Sequence, residues 1–277
     1  MRRIVPEFFA FPALFLIGLL AAAPAAAQSQ ITIGGTGAAH ALMPVLAAEF
    51  AKTNPGVTFR FPPSLGSSGG VRALVAGKLD ISIASRPLKD AERAKNVRAM
   101  AFLRSPFIFV TSLKGEAQDL SRRELIDIYR LRKTSWPNGQ QIRLVLRPRS
   151  DTDTTILKRL IDDPSDPVAH AYSLKTIPVG RTDQENLDLA ERTPGSLATA
   201  TLVTVLAENR RVTPVLFNGV APTPENLASG AYTASKTLYL VVHDAPSPNV
   251  RRFVEFVTGP GGAAVFSRYG AIPAGAK

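Results

Sequence analysis

Gly34-Gly35-Thr36-Gly37, Leu65-Gly66-Ser67-Ser68-Gly69-Gly70 and Ala84-Ser85-Arg86-Pro87 are three small-residue turns in the first third of the chain, each following a strand-like run. Gln30 to Gly34 leads into the first turn, after which Ala41, Leu42, Val45, Leu46 and Phe50 recur at helical spacing as far as Asn54-Pro55-Gly56. Val57 to Phe61 is the second strand-like run; after its turn, Val71 to Ala76 begins a helix that stops at Gly77. Leu79 to Ala84 is the third. Alternating strands and helices predict an α/β fold with parallel strands. In such sheets the strand carboxyl ends converge on a crevice where ligands bind.

The chemistry of these turns suits an oxyanion. Small residues let backbone N–H groups approach a ligand closely, and a helix amino terminus adds partial positive charge. The hydroxyls of Thr36, Ser67 and Ser68 are further donors. The same glycines could serve only to join strand to helix; three turns at equivalent positions favour a site.

Composition narrows the function classes. The net charge is +11, dispersed rather than blocked, and with 5 Tyr and 1 Trp the chain lacks the basic and aromatic interleaving of a single-strand nucleic-acid binder. There is no cysteine, which excludes disulfides, a thiol nucleophile and a lipid-modified cysteine. The 3 histidines, His40, His170 and His243, form no close pair, so neither a metal site nor a cofactor is expected. Arg2 and Arg3 ahead of the apolar run Phe8 to Ala23 and of Ala25-Ala26-Ala27 read as a signal peptide over residues 1–27, cleaved after Ala27. Export to the periplasm follows, and loss of the leader lowers the net charge by one.

Further motifs join the glycine turns: Gly77-Lys78-Leu79-Asp80-Ile81, Leu120-Ser121-Arg122-Arg123-Glu124-Leu125, Trp136-Pro137-Asn138-Gly139, Leu146-Arg147-Pro148, Asn218-Gly219-Val220 and Leu238-Tyr239-Leu240. In this order and spacing the chain resembles the phosphate-type periplasmic solute-binding proteins of ABC importers. The resemblance implies two α/β lobes, a mixed sheet in each, two hinge crossings and a ligand in the cleft between them. Lobe one would comprise residues 28–105 and 235–277, and lobe two residues 106–234. Phe107 to Thr111 and Leu238 to Val242 are the candidate hinges. The implied partners are a small oxyanion, phosphate first, and a membrane permease, with the protein acting as a monomer and not as an enzyme.

Carried over residue by residue, the resemblance puts the ligand against Thr36, Gly37, Ala38, Ala39, Ser67, Ser68, Gly69 and Arg86 from lobe one. From lobe two come Arg147, Ser150, Asp151, Thr152, Asp153 and Thr154. Arg147 would grip two oxygens with its planar fork, and Arg147→Ala would then weaken binding without unfolding the protein. Three positions depart from the family pattern: Ser150-Asp151-Thr152-Asp153-Thr154 replaces a Ser-Gly-Thr turn, Arg86 stands where some members carry aspartate, and His40 where some carry an aromatic. A carboxylate about 5 Å from a unit anion costs roughly 3 kcal/mol at an effective dielectric near 20. Asp151 and Asp153 cannot both face the ligand unpaired. Either one caps the helix beginning near Thr154 while the other pairs with arginine, or one accepts the proton of a protonated ligand.

Two other readings need weighing. Gly66-Ser67-Ser68-Gly69-Gly70 fits G-x-S-x-G, the nucleophile elbow of an α/β-hydrolase, with Ser68 and His243 in the right order for an esterase. Too few strands precede it, and no oxyanion segment of the HGGG type is present. A ligand sensor with the same fold and no transport role is the other.

Overall fold

The computed structural model describes residues 29–115 and 117–276; the expected leader lies outside the described residues. Along the chain the elements are β1 (Ser29–Gly35), a 3-10 turn (Gly37–Ala39), α1 (Leu42–Ala51), β2 (Val57–Arg60), α2 (Gly66–Val75), β3 (Ile81–Ala84), α3 (Asp90–Arg93) and β4 (Val97–Thr111). There follow β5 (Asp119–Leu120), α4 (Arg122–Tyr129), β6 (Arg143–Leu144), α5 (Thr152–Ile161), α6 (Pro167–Ser173), α7 (Asp183–Arg192), β7 (Ser196–Thr201) and α8 (Leu202–Ala207). The last elements are β8 (Thr213–Phe217), α9 (Pro224–Ser229), β9 (Ser235–His243), α10 (Pro248–Thr258), α11 (Pro260–Arg268) and β10 (Ile272–Pro273).

β1 lies parallel to both β2 and β3, as the turns require, and the sheet continues through β9 and β4 to β7 and β6. It is mixed: β9 runs antiparallel to β3 and β4, whereas β6 and β7 are parallel. Fifteen-residue β4 joins two cores. Its first part, Val97 to Pro106, pairs with β9; its last part, Phe107 to Thr111, pairs with β7 and β8.

The first core gathers Ile31, Ile33, Leu46, Phe50, Phe253 and Phe266 under α1, α10 and α11. The spacing along 251–257 predicts Phe253, Phe256 and Val257 inward; Phe253 and Val257 of α10 are fully buried, and Phe256 packs against the core partly buried. Phe50 meets Phe253 edge to face at 5.3 Å, a geometry that adds attraction beyond burial. The second core gathers Phe107, Phe109, Tyr129, Trp136 and Tyr232. α8 places Val203 in the first core, and Leu202 and Val205 in a third cluster with Ile108, Ala198 and Ala200.

Two expectations change. Phe107 to Thr111 and Leu238 to Val242 lie inside paired strands and are fully buried apart from half-buried Tyr239. The chain passes between cores one step earlier, where Ser105 pairs with Lys236, Pro106 with Ser235, and Phe107 N donates to Ala234 O at 3.0 Å. The helix expected from Val71 instead starts at Gly66, so the glycine-serine segment is its first turn. Close packing explains Gly70, where a Cβ would lie 2.4 Å from Ser82 Oγ and 2.6 Å from Gly35 Cα, whereas Gly66 has open space and serves its φ of +65°.

Candidate functional site

The carboxyl ends of β1 and β3, the amino terminus of α2 and the loops preceding α5 and α7 enclose a cleft of about 370 Å³. Of the expected residues, Thr36, Ser67, Ser68, Gly69, Arg86, Arg147, Ser150, Asp151 and Thr152 line it. Gly37, Ala38, Ala39, Asp153 and Thr154 do not, and all five are buried. A Cβ on Gly37 would lie 2.5 Å from Gln184 Oε1 and 2.8 Å from Asp183 Oδ2, so this glycine admits α7 rather than a ligand. The Gly37 and Ala38 carbonyls accept hydrogen bonds from Gln184 Nε2 and Thr204 Oγ1. Thr154 Oγ1 is held at Pro148 O and Tyr172 Oη.

The N-cap Leu65 gives α2 no side-chain cap, Gly66 N reaches Ser64 Oγ at 3.5 Å, and the following amides of the first turn face the cleft wall. Hydroxyls cross the cleft floor: Ser67 Oγ lies 3.0 Å from Ser85 Oγ and accepts from Ser85 N, and Ser85 Oγ donates to Thr152 Oγ1 at 3.1 Å. This links α2 and β3 to the first residue of α5. Arg86 is engaged by Glu92 through both terminal nitrogens, at 2.8 and 2.7 Å, and donates to Ser68 Oγ at 2.9 Å. The Arg86 hydrogen bond holds the Glu92 carboxyl below its usual range despite partial burial. Arg86 therefore orients Ser68 with much of its charge already answered.

Arg147 is 5% exposed and sits at the centre of an ion cluster. It donates to Gly180 O at 2.7 Å and Asp151 Oδ2 at 2.9 Å, and lies 3.6 Å from Asp183 Oδ2. Its Nε is 3.7 Å from Asp153 Oδ2, beyond hydrogen-bond length, and has no hydrogen-bond partner among the described residues. Lys236, at the passage between cores, donates to Asp153 Oδ1 and lies 3.6 Å from Asp183 Oδ1. Three carboxylates thus face two cations. Arg147 is a structural hub, so Arg147→Ala is expected to disturb the fold, in contrast to the expectation from sequence that it leaves the fold intact.

Electrostatics divides the acids. Burial, with Asp153 beside it, pushes the Asp151 carboxyl above the ordinary aspartate range, more than Arg147 and Lys236 lower it. Burial also pushes Asp183 up, but the Lys236 and Arg147 charges outweigh it and hold the group low. Burial would lower Lys236, yet Asp153 and Asp183 raise it above the usual lysine range. Asp151 also caps α5, its Oδ1 accepting from Asp153 N at 2.8 Å.

Sequence reading passed over Arg72, Arg181, Thr182 and Asp183 in the lining, and Lys236 behind it, and quoted Ser85 only as part of its turn. Lys236 alone left a trace, as a lysine entering an apolar strand. The hydrolase constellation is not assembled: Ser68 accepts from Arg86, while His243 Nε2 lies 3.1 Å from Leu74 O and outside the cleft.

A family model described as the PBP superfamily domain matches residues 20–260. The chain belongs to the PBP superfamily. Among curated PBP relatives, the phosphate-binding protein PstS 2 of Streptococcus agalactiae is 28% identical over 109 residues, 39% of this chain and 37% of that protein. The chain thus aligns with about a third of this relative's length. A candidate phosphate ABC transporter substrate-binding protein with bound phosphate, from Clostridium perfringens, superposes at TM-score 0.74 with 19% identity, covering 88% of this chain and 99% of the other. An ABC-type phosphate transport receptor from Vibrio cholerae gives TM-score 0.61 at 20% identity over 87% and 99%. These PBP structures show the two-lobed α/β architecture; β4 runs unbroken from the first core into the second, and the return crossing falls just before β9.

Proposed function

We infer that this protein captures a small oxyanion, phosphate first, in the cleft between its lobes and delivers it outside the cytoplasm to an ABC permease. The observation that carries the reading is the uncapped amino terminus of α2, with Ser67 and Ser68, opening into the same cleft as Arg147. Amides, hydroxyls and a guanidinium are the donor set an oxyanion needs, and partial burial strengthens each charge-assisted bond. The names of the relatives in Streptococcus agalactiae, Clostridium perfringens and Vibrio cholerae support phosphate and transport.

In this proposal lobe one comprises residues 28–105 and 235–277, lobe two residues 106–234, and the passages at Ser105 to Phe107 and Ala234 to Lys236 flex as the cleft closes. Backbone and hydroxyl donors of α2 receive the anion; closure brings Arg147, Ser150 and Thr152 onto it and excludes water. Titration calorimetry of the protein, stripped of ligand, with phosphate and then sulfate near pH 7 tests this. Saturable phosphate binding is expected, and a flat response to both anions would overturn it.

A further inference from the structure

The cleft lining holds two kinds of arginine. Arg86 and Arg147 are tied to carboxylates. Arg72 and Arg181 are exposed, and neither guanidinium has a hydrogen bond or ion pair among the described residues. They reach the cleft from opposite lobes. Arg72 lies one turn along α2 from Ser68, on the same face. Its guanidinium folds back towards Gly69, where a Cβ would stand 4.0 Å from a terminal nitrogen.

Arg181 is held by its backbone on both sides while its side chain is free. Gly180 before it accepts from Arg147 and lies so tight against Asn186 that a Cβ would approach the Asn186 Cα to 2.4 Å. Its own N–H donates to Glu185 Oε2 at 2.9 Å, and Thr182 after it caps α7. Fixed backbone reduces the ordering cost of a contact made by the side chain.

The cleft is also larger than a five-atom oxyanion requires, since pockets of about 300–1,000 Å³ hold drug-sized ligands. Exposed Leu65 and half-buried Pro148 add apolar wall beside the polar floor.

We propose that Arg72 and Arg181 form a second anionic subsite, and that the ligand is a phosphorus oxyanion carrying a second anionic group on a short carbon arm. This rests on the oxyanion reading of the same cleft. The phosphorus group occupies the α2 terminus and Arg147; the second anion sits between the two unpaired guanidiniums; the arm lies against Leu65 and Pro148.

Calorimetry with phosphate, methylphosphonate and phosphonoacetate, on the wild type and on an Arg72→Gln, Arg181→Gln double variant, tests the subsite. Two solvent-screened ion contacts predict that the wild type binds phosphonoacetate roughly tenfold tighter than methylphosphonate. The double variant loses that ratio. Phosphate binding without any preference for phosphonoacetate, or a preference retained in the double variant, overturns the subsite and leaves the oxyanion reading standing. Silence towards all three anions overturns both.

Discussion

Asp151 carries the most informative chemistry of any single residue. It caps α5 with one oxygen, answers Arg147 with the other, and is the acid whose ionisation the cluster resists. A carboxyl with a raised folded-state pKa holds its proton more tightly folded than unfolded. Its ionisation therefore costs stability as pH rises through the unfolded value, and the cost is complete above the raised one. Asp151→Asn keeps a good cap and equalises carboxylates and cations in the cluster. Urea unfolding near pH 7 should place the variant within about 1 kcal/mol of wild type, because the lost Arg147 contact offsets the relieved charge. The same change removes a negative charge from the cleft, so anion affinity should rise. Sulfate serves as the probe, since its own charge is constant above pH 4: wild-type affinity should increase as pH falls and Asp151 takes its proton, and the variant should be flat. An equally steep variant would exclude Asp151 as the titrating group.

At the scale of an element, the start of α2 both packs on the sheet and lines the cleft. Gly70 lets the helix press on β1, while Ser67 and Ser68 one turn earlier face the cleft. Gly70→Ala should destabilise the protein by about 1–3 kcal/mol, as overpacked sites do, because the obstructing Gly35 atom is backbone and cannot rotate away. Thermal unfolding reads this. Ser85→Ala should instead leave stability nearly unchanged and weaken anion binding, through loss of the Ser67 to Thr152 hydroxyl relay. Calorimetry of that variant with phosphate checks it. The strand-turn-helix order here was legible because period and turn residues are local properties. The start of α2 at Gly66 was not, since glycine and serine are poor helix formers and only the neighbouring strand rewards a helix at that point.

For the molecule as a whole, Lys236 connects passage and cleft. It is 2% exposed, sits beside Ser105 where β4 and β9 pass between cores, and pairs with acids at the amino termini of α5 and α7. Lys236→Met should cost about 3–5 kcal/mol by leaving buried carboxylates without their cation, measurable by urea unfolding. Ligand works in the other direction: at 100 times its dissociation constant, phosphate should stabilise the fold by about 2.7 kcal/mol and raise the melting temperature by roughly 5–10 °C. A melting curve indifferent to phosphate would count against the cleft as its site.

Sequence alone determined the α/β class, the parallel start of the sheet and the small-residue segments carrying Thr36, Ser67 and Ser68 at its strand ends, while the family resemblance pointed to Arg147 and Asp151. Those features follow from spacing along the chain, which is local, or from motif order. Tertiary structure decided that Arg147 is shared among three carboxylates, that Lys236 stands behind them, that Gly37 yields its space to α7, and that Arg72 and Arg181 have no partner in the cleft among the described residues. Asp151 is four residues from Arg147, but Lys236 meets Asp153 from 83 positions away and Gln184 meets Gly37 from 147 positions away. Charge pairing is set by distance in space, which one-dimensional spacing does not contain.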